Sequence, residues 1–338
     1  MTSDYVIAID LGGTKIAAAL ADRDGNLSLP CRTDTPAHEG GAAVVGAINA
    51  LVGQVRSQAH DDGIDRILGV GIGSAGVVDL AGQRIIASTD AIRGWAGTEV
   101  VSLVESAVNL PVTLENDVNA HLRGEAWKGA GAGRNYVAMM ALGTGIGGAL
   151  MINGEILVGP HGTAGDFGHL PTLLPTKRAC TCGRDVPHLE TVASGPGLYA
   201  WYLENGGDPA VGGARELEKR ALSGDALAAR IYREVAAETG RALGSIVNTV
   251  DPEVMIVGGG LANSTDIWWK PLRAAYQEQL VNILREVPLV KATLGNAAAL
   301  VGAAKKIWNR VEGCTNPTRD CAPTTEGKMY ECTTASGD

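Results

Sequence analysis

The alternation of apolar and polar positions divides the chain into short strands closed by glycine and longer helical stretches. Residues 5–22, YVIAIDLGGTKIAAALAD, read as a β-branched run, a glycine turn and a second apolar run. The DRDGN that follows is turn chemistry, so the opening is a hairpin. Residues 41–60 carry Ala, Val, Ile and Leu at helical spacing, and residues 66–86, RILGVGIGSAGVVDLAGQRII, return to strand composition broken by glycines. Residues 112–131 run from a strand into a helix with Asn116 and Asp117 at the junction, and residues 135–157, NYVAMMALGTGIGGALMINGEIL, repeat the opening plan. Two such units point to an internally duplicated architecture. Farther on, residues 215–249 predict one long helix or two, EVMIVGGGLA a buried strand meeting glycines, residues 268–286 an amphipathic helix, and NAAALVGAAKKIW a helix of small residues.

Composition adds scale. With 338 residues the chain exceeds the size at which one core stops growing, so two lobes are expected. We place a small lobe at 1–117, a large lobe at 118–290, a C-terminal helix returning to the small lobe at 291–310, and a tail at 311–338. That tail is rich in Thr, Pro, Gly and charge, with too little apolar content to pack. A hydrophobic share of 45%, 46 glycines and a single Phe leave Val, Ile, Leu and Ala to fill the interior. The net charge of −9 argues against nucleic acid and for a small-molecule partner. No basic segment precedes the first apolar run, no stretch is long enough to span a bilayer, and the six cysteines lack the dense spacing of a disulfide scaffold. A cytoplasmic protein with no membrane partner is the expectation.

Three glycine turns carry the candidate chemistry. Asp10, Gly12, Gly13, Thr14 and Lys15 form DLGGTK, where bare backbone amides can approach a phosphate, Thr14 can donate a hydroxyl and Asp10 would face the accompanying metal. A plain hairpin corner also accounts for Gly-Gly. Gly143, Thr144 and Gly145 open a second turn, LGTGIGG, and Gly258 and Gly259 belong to a third, IVGGGLA, suited to an adenine or ribose. GIGSAG and GTGIGG also satisfy the dinucleotide pattern G-x-G-x-x-G, but strand composition follows each where that use requires a helix. The lone Gly-Lys at 327–328 lacks the upstream glycine of a Walker A loop.

Taken in order, DLGGTK, ENDVNA, LGTGIGGAL, GTAGDFGHL, CTCG, LETVASG and IVGGGL resemble the motifs of ROK-family sugar kinases over roughly residues 4–308. The resemblance implies the two-lobed α/β fold of actin-like, ribonuclease H-like ATPases, with an active-site cleft between the lobes. It also implies a homo-oligomer of two or four subunits, and ATP with Mg2+ phosphorylating the 6-hydroxyl of glucose or a glucose-like sugar. Asp117 would be the base, Asn116 would hold a neighbouring hydroxyl, and His169 and Glu190 match the family's sugar contacts. Asn-Asp at this junction equally caps the following helix.

Two positions depart from the family on the sugar side. Asp166 stands for the usual Glu, and Ala91 in DAIRGW stands for an Asn that contacts substrate. Together with Asp90 they suggest an amino sugar or a cyclitol, with glucose a poorer substrate; a reading in which Asp90 and Asp166 both face solvent or backbone stands beside it. The family's zinc element, C-x-C-G-x-x-G-C with a His, is altered too: Cys180, Cys182 and His169 are present, and His188 stands near the missing thiolate, which gives either a Cys2His2 set or a degenerate element that holds no metal. Two other functions share these motifs. A sugar-responsive regulator needs a DNA-binding domain ahead of Asp10, and a catalytically inactive sugar-binding protein has no need to keep Asp10 and Asp117.

Overall fold

The computed structural model describes residues 4–315. Its first half runs β1 (Tyr5–Leu11), β2 (Lys15–Ala21), β3 (Leu27–Asp34), α1 (Gly41–Asp61), β4 (Ile67–Ser74), β5 (Val77–Val78), β6 (Ile85–Ala87), α2 (Val100–Val108), β7 (Val112–Asn116) and α3 (Asp117–Lys128). The second half runs β8 (Val137–Leu142), β9 (Ile146–Ile152), β10 (Glu155–Ile156), α4 (Glu190–Ala193), α5 (Gly195–Glu204), α6 (Ala214–Leu222), α7 (Ala226–Val250), β11 (Val254–Gly258), α8 (Asp266–Gln279), β12 (Leu289–Lys291) and α9 (Ala298–Thr315). The stretch at 215–249 is thus two helices, broken at Ser223–Gly224 with Asp225 capping the second through Ala228 N–H.

Two five-stranded sheets have the orders β3-β2-β1-β4-β7 and β10-β9-β8-β11-β12. In each, two antiparallel pairings are followed by two parallel ones, so the repeated strand–glycine–strand signature marks a repeated topology. The dinucleotide reading falls here: GIGSAG runs into β5 and GTGIGG into β9, so no helix N-terminus follows either turn.

Side-chain alternation assigns the two faces of the first sheet. Ile7, Ile9, Leu11, Ile16 and Leu20 pack toward α1 and α2, while Val6, Ala8, Ala19 and Ala21 meet Leu300, Ala303, Ala304, Ile307 and Trp308 of α9. The second face is small because α9 lies almost backbone to backbone on it. A Cβ placed on Gly71 would stand 2.0 Å from the Ala303 carbonyl oxygen, and one on Gly302 would stand 1.8 Å from that of Ala120 in α3. This contact explains the glycines at 71, 124 and 302 and the alanines along the seam. Gly302→Val should therefore force α3 and α9 apart and cost about 2–3 kcal/mol, read as a lowered midpoint in urea; an unchanged midpoint would show that the helices slide freely.

Glu125 ties α3 to the approach to α9. Fully buried, it accepts hydrogen bonds from the N–H groups of Ala130 (2.8 Å), Thr293 (3.0 Å) and Leu294 (2.8 Å) and from the Thr293 hydroxyl (3.2 Å). At the C-terminus, α9 continues to Thr315 and Val311 packs against the α9 core. Residues 311–315 of the expected tail are thus helical, and residues 316–338 lie outside the described ones. The helix expected at 268–286 ends at Gln279.

Candidate active site

The parallel register of the first sheet gathers the acceptor residues at one end. Asp10 on β1 pairs with Gly73 on β4, and Ser74 at the end of β4 pairs with Asn116 at the end of β7. The turn after Asp10 closes through Gly12 N–H to the Lys15 carbonyl at 3.0 Å, and the Thr35 hydroxyl donates to the Gly12 carbonyl at 2.7 Å. Gly13 lies against Ala91, whose Cβ would be 3.3 Å from a Cβ added there. Thr14 and Lys15 are exposed, as are Asp90 and Ala91.

Asn116 is extended and caps α3, its Oδ1 accepting from Val118 N–H (2.9 Å) and Asn119 N–H (3.2 Å). Its Nδ2 donates to the Gly76 carbonyl at 3.0 Å, and Asp117 Oδ1 accepts from Val118 N–H at 2.9 Å. Burial pushes the Asp117 and Asp10 carboxyls above the usual carboxylate range, and His121 pulls both back down. Asp117 adds to the upward push on Asp10. His121 stands one helical turn beyond Asp117; the four-residue spacing on a helix was its signal in the sequence.

The second glycine turn closes through Gly143 N–H to the Gly145 carbonyl at 2.9 Å. The segment from His188 to Gly195 grips both its flanks: Gly195 N–H donates to the Gly143 carbonyl at 2.9 Å, and Glu190 Oε2 accepts from Ile146 N–H at 2.8 Å. Val118, next to Asp117, packs on the same hairpin, its Cγ2 2.7 Å from a Cβ added to Gly147. A cavity of about 390 Å³ opens beside this turn, lined by Gly143, Gly195, Arg215, Tyr232, Gly260 and Asn263 among others. Gly258 and Gly259 act from behind it: with φ at +81° Gly259 passes so close to Leu142 that an added Cβ would lie 2.4 Å from its carbonyl oxygen. Gly260, one residue on, supplies the lining.

A smaller cavity of about 200 Å³ is lined by Gly76, Asn116, Asn119, Gly147, Thr163 and Asp166, with others. Thr163 and Asn119 were not singled out in the sequence; Asn119 sits in the ENDVNA run, and Thr163 shows only as part of GTAGD. Asp166 turns its carboxylate to within 3.0 Å of His169 Nδ1. Glu190 is engaged on both oxygens, since Oε1 accepts the Thr181 hydroxyl at 2.9 Å while Oε2 holds Ile146.

His169, Cys180, Cys182 and His188 come together, with one ligand atom from each lying within 4.8 Å of the others. A β-bridge between Pro171 and His188, and Leu189 N–H to the Leu170 carbonyl at 2.7 Å, hold the two histidine segments side by side. Cys182 Sγ lies 3.7 Å from His188 Nδ1. A tetrahedral zinc with bonds of about 2.3 Å to sulfur and about 2.0 Å to nitrogen puts such a pair roughly 3.5 Å apart, so the donor set fits that ion. The Arg184 amide holds the Cys182 thiol below its ordinary range, while burial pushes that of Cys180 up.

The ROK family model matches residues 6–310. A glucokinase of Streptomyces coelicolor is 35% identical over 315 residues, covering 88% of this chain and 96% of the relative. Among solved structures, a ROK hexokinase from Thermus thermophilus is 34% identical with a TM-score of 0.79, covering 91% of this chain and 99% of its own. A ROK glucokinase from Streptomyces griseus, in complex with glucose and AMPPNP, is 32% identical with a TM-score of 0.73, covering 89% and 98%. Among the described residues no helix is long and apolar enough to cross a membrane.

Proposed function

The chain belongs to the ROK family, and from that premise we propose that it transfers the γ-phosphoryl group of ATP to the 6-hydroxyl of glucose or a glucose-like sugar. It is an ATP-dependent sugar kinase. The observation that carries the reading is the contact of Val118 with Gly147, which brings Asp117 beside the second glycine turn. The nucleotide occupies the 390 Å³ cavity, with its phosphates between the turns at Gly12–Thr14 and Gly143–Gly145 and its base toward Tyr232 and Asn263. The sugar takes the 200 Å³ cavity, where the lining residue Asn116 orients a hydroxyl, and Asp117, which stands in the chain between the lining residues Asn116 and Val118, accepts the proton of the attacking one. Asp10 would hold the magnesium that accompanies ATP, which would supply charge neutralisation at the phosphate oxygens.

Asp166 is turned to His169 and Asp90 is solvent-exposed, which weakens the case for an ammonium-bearing substrate and favours a neutral hexose. Incubation of the purified protein with ATP and a panel of glucose, mannose, N-acetylated hexosamines, free amino sugars and cyclitols tests the reading through ADP release. Sugar-dependent release with glucose or a close relative preferred is expected, and release indifferent to sugar would sink it. On this reading the kinase works in the cytoplasm as a homo-oligomer.

The Cys/His cluster is suited to a structural zinc held by His169, Cys180, Cys182 and His188, which fixes the loop without taking part in chemistry. Elemental analysis should give about one zinc per chain, and His188→Ala and Cys180→Ser should each lose it and melt at lower temperature. Zinc-free protein with full activity and an unchanged melting point would mark a lost site.

A further inference from the structure

Thr181 has no place in the transfer chemistry, yet it stands between the cluster and the nucleotide turn. It sits between Cys180 and Cys182, is exposed, and donates its hydroxyl to Glu190 Oε1 at 2.9 Å. The other oxygen of that carboxylate holds Ile146 N–H at 2.8 Å, directly after Gly145, and a Cβ on Gly145 would stand 2.7 Å from it. Five residues beyond Glu190, Gly195 N–H fastens the opposite flank of the turn at the Gly143 carbonyl. His188, a cluster member, lies two residues before Glu190, and Thr191 N–H and hydroxyl both donate to the His188 carbonyl, at 2.9 Å and 2.6 Å. Two routes, one by the Thr181 side chain and one along the backbone, thus join the cluster to the same carboxylate.

We propose that Thr181 is a positioning residue for ATP: with Glu190 it links the Cys/His loop to the Gly143–Ile146 turn, so that metal in the cluster tightens nucleotide binding. The link rests on the zinc reading above for its metal half. Physically, a carboxylate held at one oxygen keeps rotational freedom that a second hydrogen bond removes, and the turn amides meet the phosphates only while Ile146 stays in register. Ordering the loop around a metal fixes the donor of that second bond. The two sites therefore share a coupling free energy, and nucleotide must in turn tighten the metal.

The test is calorimetric titration of AMPPNP into the purified full chain, without sugar, alongside zinc analysis. Thr181→Val should keep its zinc and melting temperature, because the side chain is exposed, while its Kd for AMPPNP rises about fivefold to tenfold. Thr181→Ser, which keeps the hydroxyl, should bind as the wild type does. Stripping zinc from the wild type with a chelator should weaken AMPPNP binding by a similar factor or more, and stripping Thr181→Val, which keeps only the backbone route, should weaken it less than it weakens the wild type. An unchanged Kd in zinc-loaded Thr181→Val overturns the positioning role. Equal weakening of wild type and Thr181→Val on stripping overturns the route through Thr181. Wild-type protein that carries no zinc overturns the metal half, leaving the Val and Ser variants to decide the other.

Discussion

Asp117→Asn should lower kcat by at least about a hundredfold, the scale of a lost general base, and should leave the melting temperature equal to or above that of the wild type. The two halves have one cause. Burial raises the Asp117 carboxyl above its ordinary range, with His121 only partly opposing it. A carboxyl whose folded pKa lies above its unfolded value contributes stability below the unfolded pKa and loses it as pH rises through the folded one. At neutral pH the ionised group is a net cost to the fold. Asparagine keeps the acceptor for Val118 N–H and removes the charge, so the apo protein should be no less stable while turnover collapses. The same shift places the acid limb of the kcat/KM profile, which reports the free enzyme, above the ordinary carboxylate range. Steady-state assays and thermal melts on the purified variant check both; retained turnover, or a marked fall in melting temperature, would end the assignment.

Glu125→Leu should destabilise the chain by at least about 2 kcal/mol. Leucine fills much of the space but leaves the N–H groups of half-buried Ala130 and Leu294 without their acceptor, each at a cost of roughly 1–3 kcal/mol, whereas exposed Thr293 can turn its donors to water. Glu125→Gln, which keeps one oxygen but turns an NH2 toward donors, should lose less. Urea unfolding of the two variants separates hydrogen-bond loss from shape; a Leu variant as stable as the wild type would mean that water reaches these donors.

What the sequence made legible was what neighbouring residues dictate among themselves. The glycine turns, the capping of α3 by Asn116 and the doubled strand plan follow from local backbone chemistry, and the structure has each of them. The four-member Cys/His group was also readable despite its altered spacing, because a turn and a β-bridge bring His188 back beside Pro171. The rest depended on approach in space. Glu190 was expected to face the sugar, but its hold on Ile146 and Thr181 arises only when the segment folds over the second hairpin. Ala91 lies at the first glycine turn, a placement set by the long loop between β6 and α2. Gly258 and Gly259 brace the 390 Å³ cavity without lining it, since their spacing from Leu142 is a property of two adjacent strands.

The covering of β1 and β2 by α9 sets an order on biosynthesis. Val6, Ala8, Ala19 and Ala21 leave the ribosome nearly three hundred residues ahead of Leu300, Ala303, Ala304, Ile307 and Trp308. Until then one face of the opening sheet stays wet and the Glu125 carboxylate lacks Thr293 and Leu294. The sheet of β1 and β2 therefore cannot finish folding before α9 emerges, and a nascent chain halted before residue 298 presents an apolar surface to chaperones or to other nascent chains.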